Sequence, residues 1–75
     1  MSIEGYILDC YNIKAVDSVL EYLRSQVNKL LYEYEEDINS LFVKGNAICD
    51  NTEIYINNFI DFLENNNMCF IGVWE

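Results

Sequence analysis

The chain has 75 residues, of which 13 are acidic, four are basic and none is histidine, giving a net charge of -9. A chain of this length has room for one hydrophobic core, so we expect a single domain over residues 1–75, and its 52% of apolar residues argues against disorder. The charge disfavours direct binding of nucleic acid, because phosphates repel an acidic surface. No apolar run approaches the roughly 20 residues of a membrane-spanning helix.

The first predicted element is a strand over residues 3–11, which are rich in aromatic and β-branched side chains. The residues before it lack the positive and apolar regions of a secretory signal. We therefore expect a cytoplasmic location, which would be the host cell cytoplasm if the chain is encoded by a phage.

An amphipathic helix is predicted over residues 14–34. Asn12 is its expected N-cap, and Arg24 and Lys29 lie farther along, where the helix dipole favours cations. Apolar residues recur there in steps of three and four, as on one face of a helix. They are Val16, Val19, Leu20, Leu23, Val27, Leu30, Leu31 and Tyr34.

Four acidic residues cluster at the far end of this predicted helix, namely Glu33, Glu35, Glu36 and Asp37. Carboxylates at a helix C-terminus meet the partial negative charge of the dipole, at a cost of about 0.3 to 1 kcal/mol each. One interpretation ends the helix near Tyr32 and makes the cluster a solvated connector. The other makes the cluster a recognition surface for a basic partner.

The middle of the chain predicts a β-hairpin. Leu41-Phe42-Val43 and Ala47-Ile48-Cys49 are short apolar runs on either side of Lys44-Gly45-Asn46, a connection that suits a tight turn. An alternative interpretation continues the helix through residues 37–43, because Ile38, Leu41 and Phe42 also have helical spacing.

A second helix is predicted over residues 51–65, followed by a strand over residues 68–74. Asp50 and Glu53 have the spacing of a capping box, and Asn65-Asn66-Asn67 is expected to end the helix, because asparagine tolerates left-handed backbone. The strand 68–74 is rich in aromatic and β-branched residues.

The order β-α-β-β-α-β predicts an α+β fold of ferredoxin-like plan, a two-layer sandwich with a four-stranded antiparallel sheet and two helices on one face. On the last strand we expect Cys69, Ile71 and Val73 to face the helices. Phe70 and Trp74 would then lie on the open face, where aromatic residues anchor interfaces between proteins. Such a face favours a homodimer.

The sequence gives little support to an enzyme. Without histidine, proton transfer would fall to carboxylates on a solvated surface, and no phosphate-binding, zinc or calcium motif occurs. Cys10, Cys49 and Cys69 lack metal-binding or redox spacing and are expected to be reduced and buried. We therefore expect a protein without catalytic residues, metal or cofactor.

The hypothesis that remains is a small acidic inhibitor that occupies the basic groove of a nucleic-acid-binding protein such as a nuclease. Phage and mobile-element anti-defence proteins, including anti-CRISPR proteins, and nuclease immunity proteins are often small and acidic in this way. The alternatives are a structural or assembly subunit that forms a homodimer through an aromatic sheet face, and a small-molecule regulatory domain. The expected partner-binding residues are Glu33, Glu35, Glu36, Asp37, Asp61, Glu64, Phe70 and Trp74.

Overall fold

The computed structural model describes residues 1–48 and 51–75, which form four strands, two α-helices and a short 3-10 turn. In chain order they are β1 (Ser2–Leu8), α1 (Ile13–Gln26), β2 (Val27–Glu35), the 3-10 turn (Glu36–Ile38), β3 (Ser40–Ala47), α2 (Thr52–Asn65) and β4 (Cys69–Trp74). The predicted α+β class is confirmed. Cys49 and Asp50, which were predicted to end a strand and to cap a helix, lie outside the described residues.

The four strands form one sheet in the order β2-β3-β1-β4, and every neighbouring pair is antiparallel. The buried residues of both helices form one core with alternate residues of the strands. Apolar residues at every second strand position meet the helices because successive side chains of a strand point to opposite faces. The largest fully buried side chains are Ile3, Ile7, Val19, Leu23, Leu41, Val43, Phe59 and Leu63.

The other side of the sheet, which the helices leave uncovered, is called the open face below. It carries Glu4, Tyr6, Leu31, Glu33, Glu35, Phe42, Lys44, Cys69, Ile71 and Val73. Tyr6 and Phe42 lie side by side on it, with ring centroids 5.3 Å apart in an edge-to-face arrangement.

The prediction of one helix over residues 14–34 is wrong in its second half. Helix α1 ends at Gln26, and the chain passes directly into strand β2. Asn12 caps α1 as predicted, since its side chain accepts a hydrogen bond from the Ala15 backbone N–H at 3.0 Å. Residues 31–35 alternate with period two, so that Tyr32 and Tyr34 face the helix side while Glu33 and Glu35 face the open side.

The predicted hairpin at Lys44-Gly45-Asn46 is also wrong, because these residues lie within the single strand β3. The hairpin instead joins β2 to β3 through the 3-10 turn, and Asn39 closes it in left-handed backbone with φ of 48°. Asparagine adopts this conformation more readily than most residues. The alternative of a helix over residues 37–43 is also wrong, because residues 40–43 belong to strand β3.

Strand β4 lies where it was predicted, but its two faces are reversed. Phe70 and Trp74 pack on the helix side against Phe59, with ring centroids 5.6 and 5.5 Å away. Ile71 and Val73 point to the open face and are 63% and 55% exposed. The aromatic open face that was expected to hold a homodimer therefore lacks the two residues named as its anchors.

Helix α2 lies within its predicted range of residues 51–65, but its N-cap falls one residue after the position predicted for it. Its N-cap is Asn51, whose side chain accepts from the Ile54 backbone N–H at 3.1 Å. At the other end Asn66 is the C-cap and Asn67 is left-handed with φ of 60°. Over the described ranges no helix is long and apolar enough to cross a membrane.

Candidate protein-docking surface

The direction of each strand and helix brings three connections to one end of the molecule. Strands β1 and β2 and helix α2 run towards this end, while α1, β3 and β4 run away from it. The β1–α1, β2–β3 and α2–β4 connections therefore lie together. Each contains one residue in left-handed backbone, respectively Asp9, Asn39 and Asn67.

Cys10 holds these three connections against one another. Its backbone N–H donates to the carbonyl of Asn39 at 2.8 Å, which ties the first connection to the second. Its thiol lies 3.4 Å from the sulfur of Met68, which ties it to the third. The Tyr34 hydroxyl donates to the carbonyl of Cys10 at 2.6 Å. The turns are thus fixed by buried contacts.

Carboxylates are concentrated at this end. We call the group the acidic end, and it comprises Asp9, Glu35, Glu36, Asp37, Asp61 and Glu64. All are exposed except Glu35, which is half-buried. Glu33 lies two residues before Glu35 in β2, on the open face next to Phe42 of β3. Within the described part of the chain, no three acidic or cysteine side chains are grouped so as to hold a metal ion.

Most of the positive charge lies at the opposite end. Arg24 is in the last turn of α1, Lys29 is near the start of β2, and Lys44 is just past the middle of β3. Lys44 contacts Glu4 at 3.2 Å, the only ion pair among the residues that the structure describes. Lys14, in the first turn of α1, is the one basic residue close to the acidic end. Glu4, Glu53 and Glu75 also lie towards the opposite end, which therefore carries both signs of charge. The acidic end is the more negative of the two ends.

Two acidic residues of this group sit where the helix dipole disfavours them. Asp61 and Glu64 lie in the last two turns of α2, and the last turn has no basic residue. Carboxylates there face the partial negative charge of the unpaired carbonyl groups. The Asn66 side chain satisfies one of those carbonyls, by donating to Phe62 at 2.8 Å.

Two tyrosine hydroxyls report the negative potential of this region. The Tyr6 hydroxyl lies 3.4 Å from Glu35, whose charge raises the pKa of that tyrosine. Tyr11 donates to Asp9 at 2.9 Å, and this hydrogen bond is the main reason that its pKa is raised. A neighbouring carboxylate disfavours the phenolate in both cases.

The predicted partner-binding residues divide into two groups. The acidic members, Glu33, Glu35, Glu36, Asp37, Asp61 and Glu64, lie at or next to the acidic end. Phe70 and Trp74 are instead half-buried on the helix side of β4. The sequence-based reasoning missed Asp9, because its place beside Glu36 and Asp37 depends on the direction of β1 relative to β2.

No protein-family model, curated protein or solved structure matches this chain. The function is therefore inferred from the geometry and charge of the molecule.

Proposed function

We propose that this protein is a non-enzymatic inhibitor that binds a basic, nucleic-acid-binding protein through its acidic end. The observation that carries the proposal is that three fixed connections converge at one end of the molecule, together with the last residues of β2 and α2. This end presents six carboxylates, none of them in an ion pair with another described residue. Rigid carboxylates held this way can occupy positions where the target expects phosphates.

The distribution of charge suits this role. A net charge of -9 attracts a basic groove over several ångströms and speeds encounter. Because Arg24, Lys29 and Lys44 offset part of the negative charge towards the opposite end, the attraction is strongest at the acidic end. Phage or mobile-element anti-defence proteins, such as anti-CRISPR proteins, and immunity proteins of nucleases are the classes that fit this mechanism, with action in the cytoplasm.

We also propose that the fold has the ferredoxin-like plan predicted from the sequence. Reading the sheet from its β4 edge gives β4-β1-β3-β2. Together with the chain order β-α-β-β-α-β, this supports two interleaved βαβ units, the ferredoxin-like plan. The plan explains why the segments that carry the acidic end meet at one end of the sheet, but it does not identify a function.

The test is a pair of variants with equal charge. The first carries Glu33→Gln, Glu36→Gln and Asp37→Asn. The control carries Glu21→Gln, Glu53→Gln and Glu75→Gln, three exposed acids outside the acidic end. Each has a net charge of -6, which is -9 plus three. Glu35 is kept because it accepts the Tyr6 hydrogen bond.

Both variants are offered to a panel of purified basic nucleases and to the proteins captured by the wild type from lysate. We expect the acidic-end variant to associate at least about tenfold more slowly at low salt, with a flatter dependence on ionic strength. The association rate of the control variant should fall much less. Equal losses in the two variants would mean that net charge, rather than the acidic end, attracts the partner.

A structural subunit is the second candidate function, and one observation favours it. The open face exposes large apolar side chains at both of its edges, with Leu31 64% exposed on β2 and Ile71 63% exposed on β4. Exposed apolar surface on so small a protein suits contact with another protein. A dimer that captures no basic protein at any salt concentration would favour this candidate over the inhibitor.

A further inference from the structure

The two edges of the sheet are built differently. On the β2 edge, Lys29 has φ of 55° and the register shifts between Asn28 and Leu31, as in a β-bulge. That strand also carries Glu33 and Glu35. Bulges and charges are features that keep edge strands from pairing with other chains. Strand β4 contains no charged residue, no proline and no register shift. Its outer edge is therefore open to strand addition.

The backbone groups available on that edge can be identified. Ser2 and Glu75 exchange both N–H···O=C hydrogen bonds, so they form a hydrogen-bonded pair in the β1–β4 ladder. Such pairs alternate along an antiparallel ladder. The backbone groups of Cys69, Ile71 and Val73 therefore point to β1. Those of Phe70, Gly72 and Trp74 point outward, where no further strand of the sheet lies in the described part of the chain.

The charge pattern selects the occupant of this edge. Residues 65–74 are the longest run without a charged residue, ten residues in a chain of net charge -9. Two copies of this chain repel each other over most of their surfaces, because both are acidic. When they meet along residues 65–74, no like charges face each other. Antiparallel pairing about a two-fold axis also directs the two acidic ends away from each other. We propose that a second copy of this chain pairs with β4 edge to edge, β4 against β4.

One register satisfies all the outward backbone groups. With Gly72 opposite Gly72 of the second copy, Phe70 lies opposite Trp74 of that copy, and Trp74 opposite Phe70. These three pairs supply about six hydrogen bonds, two for each pair. On the open face the same register places Ile71 beside Val73 of the second copy. Both side chains are more than half exposed in the single chain. The two-fold axis forms this pair twice, so each copy buries both of its apolar side chains.

Helix α2 adds to the contact. Phe62 stacks on Tyr22 of α1 with ring centroids 4.4 Å apart, so this side of α2 faces the other helix. By helical spacing, Ile56 and Ile60 lie on the opposite flank, above the β4 edge, and both are half-buried. A second copy at the edge brings its own α2 alongside. Apolar side chains then meet in the helix layer as well as in the sheet.

The test compares matched single substitutions by sedimentation velocity and light scattering, on purified protein without any target. Ile71→Glu places a carboxylate against Val73 of the second copy. Leu31→Glu is the control, because Leu31 lies on the same open face with nearly equal exposure but on the β2 edge. We expect wild type and Leu31→Glu to dimerise alike. Ile71→Glu should raise the dissociation constant at least about tenfold.

The double variant Ile71→Glu, Val73→Lys tests the register. In the proposed pairing each introduced carboxylate faces an introduced ammonium group of the other copy, so dimerisation should recover, and more so at low salt. A monomeric wild type would overturn the proposal. Disruption by Leu31→Glu would also overturn it, assigning the contact to the β2 edge if Ile71→Glu had no effect and to the open face as a whole if both changes disrupted the dimer. No recovery in the double variant would overturn the register. Since no basic partner is present, these outcomes are separate from those that test the inhibitor.

Discussion

At the scale of single residues, Cys10 has the largest structural role for its size. It is fully buried and contacts all three connections of the acidic end through its backbone and its sulfur. Burial raises the pKa of its thiol from 9.0 to about 11, with the charge of Asp9 adding to the effect. The thiolate, which is the reactive form, is therefore scarce at neutral pH.

We predict that Cys10 resists alkylation in the folded protein. Cys69 is exposed on the open face and should react with iodoacetamide readily at pH 8, whereas Cys10 should react only after unfolding in denaturant. Peptide mapping by mass spectrometry distinguishes the two sites. Rapid native labelling of Cys10 would contradict the burial on which the fixed acidic end depends.

The exposure of Cys69 shows that the sequence could not decide which face of β4 meets the helices. Both alternate sets of β4 are apolar, Cys69, Ile71 and Val73 on one side and Phe70, Gly72 and Trp74 on the other. Periodicity cannot choose between two apolar faces. The choice depends on Phe59 of α2, which packs against both Phe70 and Trp74. This long-range contact has no local sequence signal.

At the scale of elements, α2 combines a good start with an unfavourable end. Asn51 caps its first turn, where Glu53 also suits the dipole, whereas Glu64 lies in the last turn without a basic neighbour there. Natural proteins tolerate such local losses of stability where function requires them. The position of Glu64 at the acidic end is consistent with that interpretation.

We predict opposite effects of neutralising these two glutamates. Glu64→Gln should stabilise the protein by about 0.3 to 1 kcal/mol, because it removes a charge that opposes the helix dipole, and Glu53→Gln should destabilise it by a similar amount. Urea unfolding at low salt measures both. Equal effects of the two changes would indicate general charge repulsion in place of the dipole.

Strand β2 is the element that the sequence described least well. Its apolar residues fit a helical stripe continuing α1 and also fit a strand, since Val27, Tyr32 and Tyr34 are strand formers. The acidic cluster after it was the signal against a helix, because carboxylates are unfavourable at a helix C-terminus. The strand is favoured because its tyrosines make contacts outside the sheet. The Tyr32 hydroxyl accepts a hydrogen bond from Arg24 of α1, and the Tyr34 hydroxyl donates one to the carbonyl of Cys10.

The bulge in β2 gives a prediction of its own. Lys29 is left-handed, a conformation that is strained for residues with a Cβ atom, so Lys29→Gly should stabilise the protein by roughly 0.5 to 1 kcal/mol. Asn28→Gly is the control and should destabilise it, because Asn28 has no such strain and glycine is more flexible when unfolded. Thermal unfolding compares them. A loss of stability in Lys29→Gly would mean that its side-chain contacts outweigh the backbone strain.

At the scale of the whole molecule, the separation of charge follows from topology. The acidic end comes from three separate parts of the chain, namely Asp9, residues 35–37 and the last two turns of α2. These parts meet only because β1, β2 and α2 run in the same direction. The sequence predicted the acids of residues 33–37 and of α2 as a binding surface. Asp9 could not be included, because the sequence predicts that β1 is a strand but does not predict that it runs in the same direction as β2.

Clustered carboxylates repel one another in the folded state and are separated on unfolding, so the acidic end should make stability depend on salt. We predict that adding salt stabilises the wild type, because ions shorten the range of this repulsion, to about 10 Å at 0.1 M ionic strength. The variant with Glu33→Gln, Glu36→Gln and Asp37→Asn should be more stable at low salt and less sensitive to salt. The control, with Glu21→Gln, Glu53→Gln and Glu75→Gln, should keep most of the wild-type dependence despite its equal charge. Urea unfolding across a salt series makes the comparison. If both variants lost the dependence equally, the repulsion would be spread over the whole surface, and the acidic end would have no special place in the energetics of the fold.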